Sequence, residues 1–281
     1  MNYRHAYHAG NFADVFKHAI LTRIILHLTS KDTPFRYMDT HAGIGLYDLS
    51  AEEALKTAEA SSGVGRFLET PRPPAIEDLF RPYLTALKAF NALEGLHYPG
   101  SPMIASQMLR QTDRMSLAEL HPEDSRALVR RFQRDRRATV VAMDGWQALK
   151  AWLPPPERRG VVLVDPPFEQ QDEFDRMVDA LEGAHRRWAT GTIALWYPIK
   201  GWREADKFNR DVRALTIPKT LRVEMLIDAE GDDRALNGTG MIIINPPWTL
   251  KDDASVMLPF LTRALARGTK TRWRADWLQP E

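Results

Sequence analysis

The chain has 281 residues, with 38 Lys and Arg against 37 Asp and Glu, and a formal net charge of +1. That balance leaves a polyanionic partner open, because a basic face can be offset by an acidic back. The absence of cysteine excludes disulfide frames, thiolate zinc sites and cysteine nucleophiles, and no apolar run reaches the ~18 residues of a membrane helix.

Taken in chain order, residues 3–18 come first. Tyr3, Arg4, His5, Tyr7, His8, Asn11, Phe12, Asp14, Lys17 and His18 crowd aromatics, imidazoles and one cation together. The histidine spacing matches no standard zinc pattern. Such a mixture suits contact with bases and phosphates, and Asn11 or Asp14 is placed to cap the helix that follows. Phe16, Ile20, Ile24 and Leu28 give that helix an apolar face. A strand over 35–38 then runs into Asp39-Thr40-His41-Ala42-Gly43-Ile44-Gly45, whose glycines let the backbone approach a ligand closely.

Residues 51–96 contain no convincing strand. Pro71, Pro73 and Pro74 separate two helical stretches, and this segment is expected to be a small helical subdomain inserted into a main domain formed by 1–50 and 97–281. Strands are expected over 115–120, 139–143, 161–164, 193–197, 221–227 and 241–244, with helices in most gaps. Seven strands alternating with helices predict an α/β fold with a doubly wound, Rossmann-like sheet. Basic clusters at 130–137, 158–159, 186–187 and 263–274 suit either solvated helix faces or a nucleic-acid surface.

The strand ends carry the chemistry. In an open parallel sheet, ligands bind beyond the carboxyl ends of the strands. Successive predicted strands end at Asp39, at Glu119, at Asp144-Gly145 and at Asp165-Pro166-Pro167-Phe168. A carboxylate at Glu119 suits two ribose hydroxyls, and one at Asp144 suits an adenine amino group. Asp165 and the carbonyl of Pro166 are acceptor-only groups. Set at both N–H bonds of an aryl amine, they would free its delocalised lone pair for attack on an electrophile. Phe168 offers a face on which an extruded base can stack. A second acid-like motif, Asn245-Pro246-Pro247-Trp248, ends the last predicted strand. By position Asp165 is favoured as the reactive group. The Asn245 motif is then a structural turn that could line the base pocket.

Strand–Asp-Pro-Pro-aromatic is the signature of S-adenosylmethionine-dependent amino-methyltransferases. Added to it are Tyr3-Arg4-His5, His8-Ala9-Gly10-Asn11, Asp39-Thr40-His41-Ala42-Gly43, Tyr98-Pro99-Gly100-Ser101-Pro102, Glu119-Leu120-His121-Pro122 and Ala194-Leu195-Trp196-Tyr197-Pro198. Together these motifs closely resemble the RlmJ family, bacterial 23S ribosomal RNA adenine-N6 methyltransferases, over nearly the whole chain.

The resemblance implies a class I methyltransferase fold, S-adenosyl-L-methionine as methyl donor, and adenine 2030 of 23S ribosomal RNA as acceptor. It implies that His18, His41, Ser101, Glu119, Asp144, Gly145 and Asp165 line the donor site, with Asp165 also engaging the target amine. Tyr3, His5 and Lys17 would contact the RNA. Phe168 departs from the tyrosine common at its position, so no hydrogen bond is assigned to that ring. The expected protein is a cytoplasmic monomer without metal or membrane attachment. DNA adenine or a protein glutamine amide stay open as acceptors, as does a silent RNA-binding module on the same fold. Pyrimidine C5 methylation through a cysteine adduct is disfavoured by composition.

Overall fold

The computed structural model describes residues 5–94, 96–170, 172–228 and 236–280. In chain order the elements are α1 (Phe12–Thr29), β1 (Arg36–Asp39), β2 (Leu46–Asp48), α2 (Glu52–Thr57), α3 (Arg66–Glu69), α4 (Pro74–Ala89), β3 (His97–Pro99), α5 (Ser101–Met108), β4 (Arg114–Ala118) and α6 (Pro122–Phe132). They continue with β5 (Ala138–Val141), α7 (Gly145–Trp152), β6 (Gly160–Val164), α8 (Glu173–Arg187), β7 (Thr192–Ile199), α9 (Trp202–Ala214), β8 (Thr220–Leu226), β9 (Gly238–Ile244), α10 (Leu250–Ala264) and β10 (Arg272–Gln279).

The sheet has the order β10-β8-β9-β7-β6-β1-β4-β5. Strands β5, β4, β1, β6 and β7 run parallel, and β9 is antiparallel to both β7 and β8. The expected Rossmann-like architecture is therefore present, with eight strands in place of the expected seven. The extra strand, β10, pairs antiparallel with β8 at the sheet edge. Its sequence, Arg272-Trp273-Arg274-Ala275-Asp276-Trp277, is charged and half-exposed, as edge strands commonly are. For that reason its alternation reads as a basic tail.

Helices cover both faces. One apolar cluster joins α1, α5, α6 and α10 to the sheet, and a second joins α7, α8 and α9 to the other face. Helix α1 departs from the expected one-sided pattern. It is buried almost all round, including Asp14, Lys17 and His18. A helix apolar on every side belongs inside a protein, and here α1 packs against the sheet as well as α4 and α10.

The segment between β2 and β3 is helical, and its two ends lie side by side because β2 and β3 pair antiparallel. Phe67, Phe80 and Tyr83 from this segment pack with Phe260 of α10 in the same core as α1. The segment meets the start of α1 at very close range. A Cβ added at Gly63 would sit 2.6 Å from Asn11 Cα, and Val64 N–H donates to Gly10 O at 2.8 Å.

Candidate active site

The carboxyl ends of β1, β4, β5 and β6 open into one cavity of about 750 Å³. It lies where the chain leaves β1 for neighbours on either side, the usual ligand position in such sheets.

After β1 the chain turns through Gly43 (φ +60°) and Gly45 (φ +83°), a left-handed conformation that glycine adopts without strain. Asp39 beneath this turn is wholly buried and accepts hydrogen bonds from Tyr37 Oη (2.6 Å), Ser101 Oγ (2.6 Å) and the His41 N–H (3.2 Å). Burial nonetheless pushes its carboxyl above the usual range. Asp39 thus ties the loop after β1 to the first residue of α5. Gly100 N–H adds a 2.7 Å bond to Gly45 O.

Glu119, 8% exposed, accepts from Gly43 N–H and His121 N–H, both at 2.8 Å. Burial raises its pKa. Asp144 caps α7 by accepting from Gln147 N–H at 3.0 Å. At Gly145 a Cβ would collide with Thr40 O and lie 2.5 Å from His41 Nε2, so only glycine lets these two loops touch. His41 is fixed by a 2.8 Å contact of Nδ1 with Thr40 Oγ1 and packs edge-on to Trp146. Burial pushes its pKa down to about 4, so it is neutral at physiological pH.

Beyond β6, Asp165 faces the cavity, its side chain 15% exposed. Lys17 of α1 reaches it with Nζ 2.5 Å from Oδ2 and stands 3.0 Å from Asp14 Oδ1. Asp14 in turn accepts from His5 Nε2 and Gly10 N–H, both at 2.9 Å. Burial opposes the charge on Lys17, but the two carboxylates outweigh it and its pKa is raised. Asp14, also opposed by burial, is held well below the carboxylate range by His5 and Lys17.

Phe168 adopts φ +52°, rare for a bulky side chain and a mark of imposed strain. Its ring stands edge-on to Trp196 of β7 and to Phe174. Lys17 Nζ lies 5.6 Å from the Trp196 ring centroid. Asp165, Pro166, Phe168, Lys17 and Trp196 therefore form one corner with an anion, a cation and aromatic faces.

The cavity collects His5, Lys17, His41, Ser101, Glu119, Asp144, Gly145, Asp165, Pro166 and Phe168 from the residues singled out in the sequence. Tyr3 lies outside the described residues. His18 is not in the wall. It is 1% exposed, with Nδ1 2.7 Å from Tyr98 Oη, and burial lowers its pKa to about 3. Lys17, expected at the RNA, is engaged with two carboxylates inside the site.

Asn11 rather than Asp14 caps α1, accepting from Ala13 and Asp14 N–H. The Asn245 motif is a turn, as expected, but it does not line the cavity. Because β9 is antiparallel, its C-terminus emerges beyond the amino ends of the parallel strands, where Asn245 Nδ2 donates to Ala189 O (2.8 Å) and Gly191 O (2.9 Å). Trp248 beyond it is 81% exposed.

Several wall residues had no role in the sequence reading. Trp196 lies within a quoted motif and Trp146 follows Asp144-Gly145, so both were within reach. Glu59 and Ser62 come from the helical segment, and Glu59 takes hydrogen bonds with His8 Nδ1 and Asn11 Nδ2 at 3.0 Å. No local pattern marks these two. Among the described residues no group of three or more His, Asp or Glu side chains could hold a metal ion, and no helix is long and apolar enough to cross a membrane.

The family described as "Ribosomal RNA large subunit methyltransferase D, RlmJ" matches residues 32–279. Two curated proteins named "Ribosomal RNA large subunit methyltransferase J", from Haemophilus influenzae and Escherichia coli, are each 41% identical across the full length of both chains. The crystal structure of a Legionella pneumophila protein superposes with a TM-score of 0.84 at 32% identity, covering 96% of this chain and 98% of the other. With its whole length accounted for by relatives of this kind, the chain belongs to the RlmJ family of ribosomal RNA large subunit methyltransferases.

Proposed function

We propose that this protein transfers a methyl group from S-adenosyl-L-methionine to the N6 amine of an adenine in 23S ribosomal RNA, adenine 2030 by family resemblance. The observation that carries the reading is Asp165-Pro166-Pro167-Phe168 sharing a cavity with Glu119 and Asp144.

The residues fit such a donor. Gly43 and Gly145 let the loops that wall the cavity close against Tyr47 and against Thr40 and His41, and Glu119 and Asp144 are acceptors suited to ribose hydroxyls and an adenine amine. Ser101, oriented by Asp39, and His41 complete the donor wall. When bound, the donor supplies an electrophilic methyl carbon on a sulfonium.

The chain's own groups prepare the acceptor. Trp196 and Phe168 present aromatic faces to an extruded base, whose extrusion costs a few kcal/mol. Asp165 accepts one amino N–H and the Pro166 carbonyl the other, drawing the nitrogen toward tetrahedral geometry. Lys17, 2.5 Å from Oδ2, sets the carboxylate's direction, and Asp165 takes the proton released as the N–C bond forms and the S–C bond breaks. His5 stands next to Asp14 behind Lys17, on the RNA side.

The test is transfer of labelled methyl to a 23S ribosomal RNA transcript, followed by mass mapping. Label in an N6-methyladenine at one position supports the proposal. Label only in DNA or in protein glutamine would replace the acceptor.

A further inference from the structure

One ionisable group in the cavity wall has no part in the chemistry above. Glu173, at the start of α8, is 3% exposed, and its Oε1 has no hydrogen-bond partner. That oxygen meets Arg176 Nη1 only as an ion pair at 3.5 Å, and a buried acceptor without a hydrogen bond costs ~1–3 kcal/mol, so a ligand N–H is expected to complete it.

The surroundings identify which ligand. Arg176 lies over the Trp146 ring, 5.3 Å from its centroid. Trp146 follows Asp144-Gly145 directly and packs edge-on to His41. Glu173 is therefore on the α7 side of the cavity, with the Asp144 carboxylate, whereas Lys17 and Trp196 form the corner around Asp165. Both carboxylates are acceptors without a donor hydrogen, and the Trp146 indole packs against His41 of the loop after β1 and under Arg176. That composition selects a planar heterocycle bearing an NH2 group.

We infer that Glu173 recognises the donor's adenine ring, its Oε1 accepting one amino N–H while Asp144 accepts the other. The inference rests on the donor reading given above. It adds a selection rule: a purine with a 6-oxo group would set lone pairs against both carboxylates. Burial raises the Glu173 pKa against the pull of Arg176 and of N–H donors from Gln170 and Trp146, as expected of a carboxylate placed for a ligand instead of solvent.

The experiment is calorimetric titration of the full-length protein with S-adenosylhomocysteine and with S-inosylhomocysteine, which differ at the 6-position and in the hydrogen that the 6-oxo form carries on N1. A site built around a hydrogen bond rejects the analogue that lacks it strongly, so the native protein should prefer the amino form by ~100-fold or more. Glu173→Ala should weaken S-adenosylhomocysteine binding ~10-fold and compress the preference by a similar factor. Glu173→Gln, close in shape, can donate its amide to the 6-oxo group and should strengthen S-inosylhomocysteine binding. Melting curves show whether each variant is folded, and the ratio measured on Glu173→Gln stands if Glu173→Ala is not. Tight S-adenosylhomocysteine binding with an unchanged ratio in the folded variants overturns this inference alone. Absence of S-adenosylhomocysteine binding to the native protein overturns the donor reading and this inference with it.

Discussion

Lys17 and Asp165 are separated by 148 residues yet meet at 2.5 Å, the ammonium 4% exposed and the carboxylate at the cavity wall. The carboxylate at the cavity wall is thus held from behind by a cation that is itself held by Asp14. Asp165→Ala should leave S-adenosylhomocysteine affinity within a few-fold of native and lower kcat by ~10²–10⁴. Titration calorimetry and single-turnover methylation measure the two effects separately; undiminished turnover would remove Asp165 from the mechanism.

Replacing Lys17 should harm stability as well as rate. Breaking one side of a buried ion pair leaves uncompensated charge and costs ~3–5 kcal/mol. Lys17→Met leaves both Asp14 and Asp165 without their cation, so a drop of that order is expected in urea unfolding. Lys17→Met with Asp14→Asn should recover part of it.

Gly145→Ala tests the contact between the loops after β1 and β5, and with it their proposed role in holding the donor. The added methyl collides with Thr40 O and the His41 ring, displacing the turn after β1. S-adenosylhomocysteine binding is expected to weaken by ~10-fold or more, and the melting temperature falls as well, because overpacking a buried contact costs ~1–3 kcal/mol. Native affinity in this variant would show that the two loops do not act together.

Aromatic stacking by Phe168 is worth ~1–3 kcal/mol if a base rests on it. Phe168→Ala should therefore raise the KM for RNA by ~10–100-fold, and Phe168→Tyr should leave it near native. Steady-state kinetics with a fixed donor concentration separate the two.

The folded chain is expected to lose stability as pH falls from neutrality. Burial lowers the His18 pKa from 6.5 to about 3, so between those values the unfolded chain binds more protons. The contribution is fully present above pH 6.5 and shrinks below it, by roughly 2 kcal/mol at pH 5. Asp14, whose pKa is depressed, acts in the same direction at lower pH. His18→Asn, which keeps a polar partner for Tyr98, should flatten the slope of melting temperature between pH 7 and 5.

Much of this arrangement was legible in the sequence because the strands that build the site are apolar and end in acids. Val161-Val162-Leu163-Val164 is buried throughout, and the position of Asp165 follows from that strand alone. Strand β10 was hidden by its charge, since an edge strand needs apolar residues on one face only. His18 could not be placed from the sequence, since its burial and the contact of its Nδ1 with Tyr98 Oη join positions 80 residues apart. Strand direction was decisive for Asn245-Pro246-Pro247-Trp248, whose string repeats the reactive motif on a strand running the other way. The Lys17–Asp165 pair, and the contribution of Glu59 and Ser62, depend on contacts between distant segments that no local periodicity encodes.

The pairing of β2 with β3 makes a neck: the intervening chain leaves and returns one hydrogen-bond spacing apart, within a residue of Gly45 and Gly100. Length can be gained or lost beyond that neck only where the helices touch neither cavity nor core, since Glu59 and Ser62 reach the cavity wall and Phe67 and Phe80 the core.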